Sequence, residues 1–181
     1  MAPLHRYNRG VSAEDRVQLR RERAADRAAI HAVHVAAFGR ADEGDLVDRL
    51  RHEGAVLASF LAEDGGRIVG HVLFSRILLE TGDDSLAAVA LAPMAVVPTH
   101  QRGGIGGRLI RHGLDWLRRR GEKVVTVLGH VDYYPRFGFS RDRARAIASP
   151  FPADAFMALE LAPGVLDGVH VVARYPAAFR L

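Results

Sequence analysis

The segment Gln101-Arg102-Gly103-Gly104-Ile105-Gly106-Gly107 packs four glycines into seven residues. With no side chains in the way, its backbone N–H groups can converge on one anion, and a helix starting here adds the unpaired N–H groups and dipole of its first turn. Gln101 can add a side-chain donor and Arg102 a positive charge. The chemistry this suits is that of a phosphate or pyrophosphate site. Two familiar phosphate loops do not fit. A P-loop needs Gly-Lys followed by Ser or Thr, whereas Gly107 is followed by Arg108-Leu109. A dinucleotide fingerprint needs a third small residue where Leu109 stands, and a tighter approach from its strand than Pro98-Thr99-His100 allows.

Such a turn must be delivered by a strand and continued by a helix. After it, Ile105, Leu109, Ile110, Leu114 and Leu117 form an apolar stripe of helical period, and Gly121 stands where a C-terminal cap belongs. Before it, residues 86–97 are nearly all apolar, which predicts a buried central strand ended by Pro98. Residues 124–128 are β-branched and apolar, so 86–128 reads as one βαβ unit.

Upstream, 17–20 alternates like a short strand, and residues 24–38 carry Ile30, Val33, His34, Ala37 and Phe38 on one helical face before Gly39. Leu46, Val47 and Leu50 repeat the pattern over 43–52, predicting a second helix. Asp64-Gly65-Gly66 between apolar runs at 56–63 and 67–79 predicts a hairpin, and 81–85 a further turn. Short candidate strands follow at 157–161 and 169–173. The polar, Gly-punctuated residues 1–12 are expected to be a disordered leader, leaving a single domain over 13–181.

Composition narrows the function classes. In 181 residues there is no cysteine, which excludes disulfides, thiolate metal sites and a cysteine nucleophile. No stretch approaches the roughly 20 apolar residues of a membrane helix, and no apolar segment follows the first basic residues, so a soluble cytoplasmic protein is expected. The net charge of +4 is carried by arginine, with Lys123 the only lysine, which is weak ground for a nucleic-acid partner. Arg118-Arg119-Arg120 closes the helix after the glycine turn, where its dipole favours cations. His31 and His34 share a helical face with no carboxylate near them in sequence, and zinc wants three or four ligands, so no metal is expected.

The segment running Met94-Ala95-Val96-Val97-Pro98-Thr99-His100 into the glycine turn resembles motif A of the GCN5-related N-acetyltransferases (GNAT). That signature is Gln or Arg, two residues, Gly, one residue, then Gly or Ala, and Gln101, Gly104 and Gly106 take those places. Tyr133-Tyr134-Pro135-Arg136-Phe137-Gly138-Phe139 resembles motif B, where a tyrosine stands four residues before Gly-Phe, the position of Tyr134. The order of elements from Val17 onward is also similar. The Tyr-Tyr pair and the tail Phe156-Met157-Ala158-Leu159-Glu160-Leu161 are similar to the YhbS-like subgroup, with His130-Val131 standing where Asp-Pro is common there.

This resemblance implies an α/β GNAT fold: a single mixed, mostly antiparallel central sheet flanked by helices, whose splayed central strands form the acetyl-CoA cleft. It implies that the main chain of Met94, Ala95 and Val96 pairs with the pantetheine arm, and that the main chain of Arg102, Gly103, Gly104, Ile105, Gly106 and Gly107 holds the pyrophosphate beside Gln101. Tyr134 would act as catalytic acid toward the departing thiolate, since an unperturbed phenol with a pKa of about 10 is protonated at neutral pH; a core tyrosine packed beside Phe137 and Phe139 is the alternative.

The implied reaction moves the acetyl group of acetyl-CoA to a primary amine by direct attack in a ternary complex, without metal and with a small-molecule acceptor. A protein N-terminus or lysine as acceptor, or a non-catalytic acyl-CoA sensor, are the alternatives, and a homodimer is compatible with either. Glu63, Glu80, His71 and His130 are candidate bases by type, with a water chain as good. In this family the first two helices wall the acceptor side, which would bring Phe38, Glu43 and Leu46 to the acceptor; core packing is the alternative and the more common role for such residues.

Overall fold

The computed structural model describes residues 16–82 and 84–181. The leader expected over 1–12 lies outside these residues, as does Asp83 in the turn expected at 81–85. In chain order the elements are β1 (Val17–Arg21), α1 (Arg27–Phe38), α2 (Asp42–His52), β2 (Val56–Asp64), β3 (Arg67–Thr81), β4 (Asp84–Val96), α3 (Ile105–Arg119), β5 (Val124–Leu128), α4 (Arg141–Ala144), β6 (Ile147–Ala148), β7 (Phe156–Glu160) and β8 (Val171–Arg174). The expected helices, the hairpin and the βαβ unit are all present. The two-residue β6 and four-residue α4 are too short to leave a periodic signal, and the strand expected at 169–173 is displaced to 171–174.

One mixed sheet runs β1-β2-β3-β4-β5-β7, with β8 beside the far end of β3 and β6 beside β8. All neighbours are antiparallel except β4 with β5 and β6 with β8. Successive residues of β3 face opposite sides, as a strand requires. On one side a Cβ on Gly70 would meet Leu109 and Ile105 of α3, and Val72 and Phe74 join the core built on Leu109, Ile110, Leu114 and Leu117. On the other, Leu73 packs with Ile30 of α1 and with Val47 and Leu50 of α2. Each fully buried Leu or Ile here stabilises the fold by about 1.5–3 kcal/mol. Gly113 lets α3 approach the sheet closely, because a Cβ there would lie 2.2 Å from the Phe74 ring.

The register between β3 and β4 carries one irregularity. Val72 opposes Met94 but Phe74 opposes Leu91, so β4 holds one extra residue across Ala92 and Pro93. Pro93 has no N–H to give a ladder. β5 pairs with β4 only at Val89, Ala90 and Leu91, and beyond them the two strands part.

The arginine run at the end of α3 is engaged locally: Arg118 bonds Asp115 at 3.0 Å and Arg120 lies 4.6 Å over the Trp116 ring. His31 reaches Asp45 of α2 at 3.1 Å, a carboxylate partner distant in sequence that tertiary packing supplies. Among the described residues no helix is long and apolar enough to cross a membrane.

Candidate active site

The glycine turn leaves β4 through a short helical turn, Pro98–His100, and starts α3. Gly104 is the N-cap with φ 77°, and Arg102 two residues earlier is also left-handed at φ 63°, while Gly103 between them is not. Alternation of this kind turns successive N–H groups toward one side and forms an anion-binding concavity at the helix N-terminus. The glycines are needed for different reasons. Gly104 supplies the backbone conformation. Gly106 supplies space, since a Cβ there would lie 2.9 Å from Tyr133 Oη and 3.6 Å from Met94 Sδ. At Gly107 the nearest atom would be Arg111 Nη1 at 3.3 Å.

Gln101 has a task its residue type did not announce: its side-chain amide donates to Val96 O at 2.9 Å, tying the turn to the end of β4. Positive charge at the turn comes from Arg102 together with Arg111 and Arg136, which also line the cleft. Sequence reasoning missed the last two. Arg111 lies four residues after Gly107 on the same face of α3, a spacing that could have found it. Arg136 sits 4.6 Å over the Tyr133 ring, three residues before it across a short helical turn, and that spacing does not show that both line the cleft.

Where β4 and β5 part, a cleft of about 1160 Å³ opens. Met94, Ala95 and Val96 pair with β3 on one edge only, so the backbone groups of their other edge face the gap. The cleft is lined both by Met94, Gly106 and Tyr133 on the α3 side and by Phe38, Glu43 and Leu46 on the α1–α2 side, so it passes through the sheet. All of the residues singled out for the turn line it except Gly103, whose Cβ position meets only His100 O at 3.6 Å. Phe38, Glu43 and Leu46 are brought to the far side, as the resemblance implies.

Tyr134 begins a short helical turn, Tyr134–Phe137, and is 8% exposed at the cleft wall. Its ring fills the space beside Gly129, where a Cβ would lie 2.2 Å from Cε2, and it packs edge-on against Tyr133 at 5.2 Å and Phe139 at 5.8 Å. Burial pushes the phenol up to about 12. It is therefore both packed and presented, and stays protonated throughout the neutral range. A second phenol, Tyr133, lines the cleft as well and is also raised by burial. The His130-Val131 segment closes a turn in which Tyr133 N–H donates to His130 O at 3.0 Å.

The four candidate bases separate. Glu63 pairs with Arg20 at 2.8 Å and Glu80 with Arg174 at 2.7 Å, both away from the cleft. His71 is fully buried within a hydrogen-bonded chain. Glu22, paired with Arg51, accepts from Ser59 Oγ; that oxygen is 2.8 Å from His71 Nε2, and His71 Nδ1 is 2.8 Å from His34 Nε2. Because a carboxylate only accepts, each donor along this chain is fixed: Ser59 O–H, then His71 Nε2–H, then His34 Nε2–H. Both imidazoles are neutral, burial holding His34 down to about 4 and His71 well below its usual value. The chain fastens α1 to the sheet, leaving His34 Nδ1 buried without a partner. Of the four candidates, only His130 lines the cleft.

Comparison with known proteins agrees with this geometry. The family described as Acetyltransferase (GNAT) domain matches residues 18–141. The uncharacterized N-acetyltransferase YjhQ of Escherichia coli K12 is 41% identical over 135 residues, covering 72% of this chain and 75% of its own. The GNAT family N-acetyltransferase YhbS of Escherichia coli, solved in complex with CoA, superposes with a TM-score of 0.84 at 30% identity over 92% of this chain and 93% of that one. A GNAT family acetyltransferase from Brucella melitensis, solved in complex with acetyl-CoA, gives a TM-score of 0.76 at 36% identity over 90% and 97% of the two chains. The chain belongs to the GNAT family of N-acetyltransferases.

Proposed function

We propose that the protein transfers the acetyl group of acetyl-CoA to the primary amine of a small molecule, by direct attack while both are bound. The observation that carries this is the cleft through the sheet: an anion-binding turn lies at one mouth, a side-chain pocket at the other, and a bare strand edge between them. The N–H groups of residues 102–107 and the charges of Arg102, Arg111 and Arg136 suit a pyrophosphate. The free edge of Met94, Ala95 and Val96 suits the amide-bearing pantetheine arm, which it would bind as an added strand. The volume exceeds the roughly 300–1,000 Å³ of an ordinary ligand pocket, as two substrates require.

The amine nitrogen forms its bond to the acetyl carbon, and strand-edge N–H groups receive the charge that develops on the carbonyl oxygen. As the C–S bond breaks, Tyr134 Oη–H points its proton at the sulfur. A phenol at about 12 does not give that proton up outright to a thiolate of pKa about 8.5, so Tyr134 stabilises the leaving charge chiefly as a hydrogen-bond donor. His130 is the side chain assigned to take the proton that the amine loses. Purified protein with acetyl-CoA and a panel of amines should release free thiol in step with N-acetylation. Cofactor binding with no thiol released on any acceptor would establish a sensor instead, and acetylation confined to peptides would move the acceptor to proteins.

A further inference from the structure

The far mouth of the cleft is walled by aromatic rings drawn from separate parts of the chain. Phe151 meets Tyr175 edge-on at 5.0 Å, and Tyr175 meets Phe179 at 5.0 Å, giving a continuous run of three rings that all line the cleft. The run is anchored at the closed end of the gap, where Tyr175 Oη lies 3.3 Å from Thr126 Oγ1 and Thr126 pairs with Ala90 of β4. Phe38 lines the cleft from the last turn of α1 and is 44% exposed, a large apolar surface left open on a residue that could have packed inward.

Charge is sparse at this mouth. The charged side chains there are Arg40 and Glu43, joined to each other at 2.6 Å, and Arg40 also pairs with Asp42 at 3.6 Å. Two carboxylates around one arginine leave a single net negative charge, which can attract one ammonium but not two or three. The ring faces can hold one ammonium by cation–π attraction, but the further cations of a polyamine or an aminosugar would meet no second carboxylate side chain in the lining and would lose water there. A flat apolar body, by contrast, offers ring faces and edges that four aromatic side chains can match.

The geometry points to an acceptor that is a monoamine carried on an aromatic body, an arylalkylamine in chemical class, with its ring among Phe38, Phe151, Tyr175 and Phe179 and its amino group directed to the parted strands. This rests on the acetyl-transfer reading above. The reaction balances as the arylalkylammonium ion plus acetyl-CoA giving the N-(arylalkyl)acetamide, CoA as its free thiol and one proton.

The test compares 2-phenylethylamine, n-butylamine and spermidine as acceptors, following thiol release with the wild-type protein and with Phe38→Ala. The expected result is a kcat/KM for 2-phenylethylamine at least about 10-fold above that for n-butylamine and higher still over spermidine, a preference that Phe38→Ala reduces by roughly 3- to 10-fold through the amine's KM. Equal use of the two monoamines, preference for spermidine, or an unchanged ratio in Phe38→Ala would overturn the assignment while leaving acetyl transfer intact. Calorimetry of 2-phenylethylamine on CoA-loaded protein separates the two readings. Binding that weakens in Phe38→Ala supports the aromatic site even if no thiol is released, whereas absence of binding overturns it.

Discussion

The two mouths of the cleft are built by opposite means. At the glycine turn, one contiguous stretch of backbone makes the site, and its side chains either keep clear or, like Gln101, brace the backbone from behind. At the aromatic mouth the backbone is remote. The surface there is assembled from side chains of α1, of α2, of the loop before β7 and of the segment after β8. A backbone site is exacting about residue type at fixed spacing, because glycine adopts the φ of residue 104 without strain and only a missing Cβ leaves room at residue 106. A side-chain site is exacting about position in space and lenient about sequence. Cofactor recognition can therefore stay constant while acceptor choice is redrawn by changing residues that share no motif.

Four experiments press on this contrast. The largest effect expected is on the buried chain that fastens α1 to the sheet. His34 titrates at about 4 when folded and near 6.5 when unfolded, so between these values the unfolded chain binds a proton that the folded chain refuses. This contribution is complete above pH 6.5 and is lost as pH falls toward 4, on the order of 3 kcal/mol, with His71 acting in the same direction. Thermal melts across that range should show a steep acid decline that His34→Gln flattens, and a decline of equal slope in the variant would mean that other groups carry it.

Next comes the turn. Gly104→Val forces a β-branched residue into the left-handed region, costing about 1–2 kcal/mol of strain before any clash with a ligand, and should weaken acetyl-CoA binding by at least roughly 100-fold. Calorimetry that found wild-type affinity would show that the turn is not where the pyrophosphate lies. Tyr134→Phe is expected to lower kcat by about 10- to 100-fold with the Kd for acetyl-CoA nearly unchanged; collapse of affinity would make the ring a structural prop alone. The smallest effect is assigned to Gln101→Ala, which frees the Val96 carbonyl and should raise the KM for acetyl-CoA only a few-fold while the amine's KM stays put.

The same contrast explains how much could be read from the sequence. The helices, the hairpin and the βαβ unit were legible because hydrophobic period and turn residues act locally. The turn and Tyr134 were legible because each sits in a short run of fixed spacing. Glu63, Glu80 and His71 resembled bases by type, and only the fold shows that two are engaged by arginines and the third by Ser59 and His34. The approach of Tyr133 to Gly106 and the contact of Phe151 with Tyr175 arise where distant segments meet. The parting of β4 from β5 also left no periodic trace, since an almost wholly apolar strand does not reveal on which residue its alternation slips.

That slip makes β4 a phase inverter. Val89 and Leu91 belong to the core beneath α3 at odd positions, and after the additional residue it is Met94 and Val96, at even positions, that turn to the same side. The strand is in effect two half-strands of opposite parity sharing one backbone, so sequence length through Ala92 and Pro93 is itself a specification. Excising one residue there would heal the ladder with β3 and leave the side chains of residues 94–96 on the faces they hold now, but it would remove the local bend that a bulge gives its strand, at the very point where β4 leaves β5.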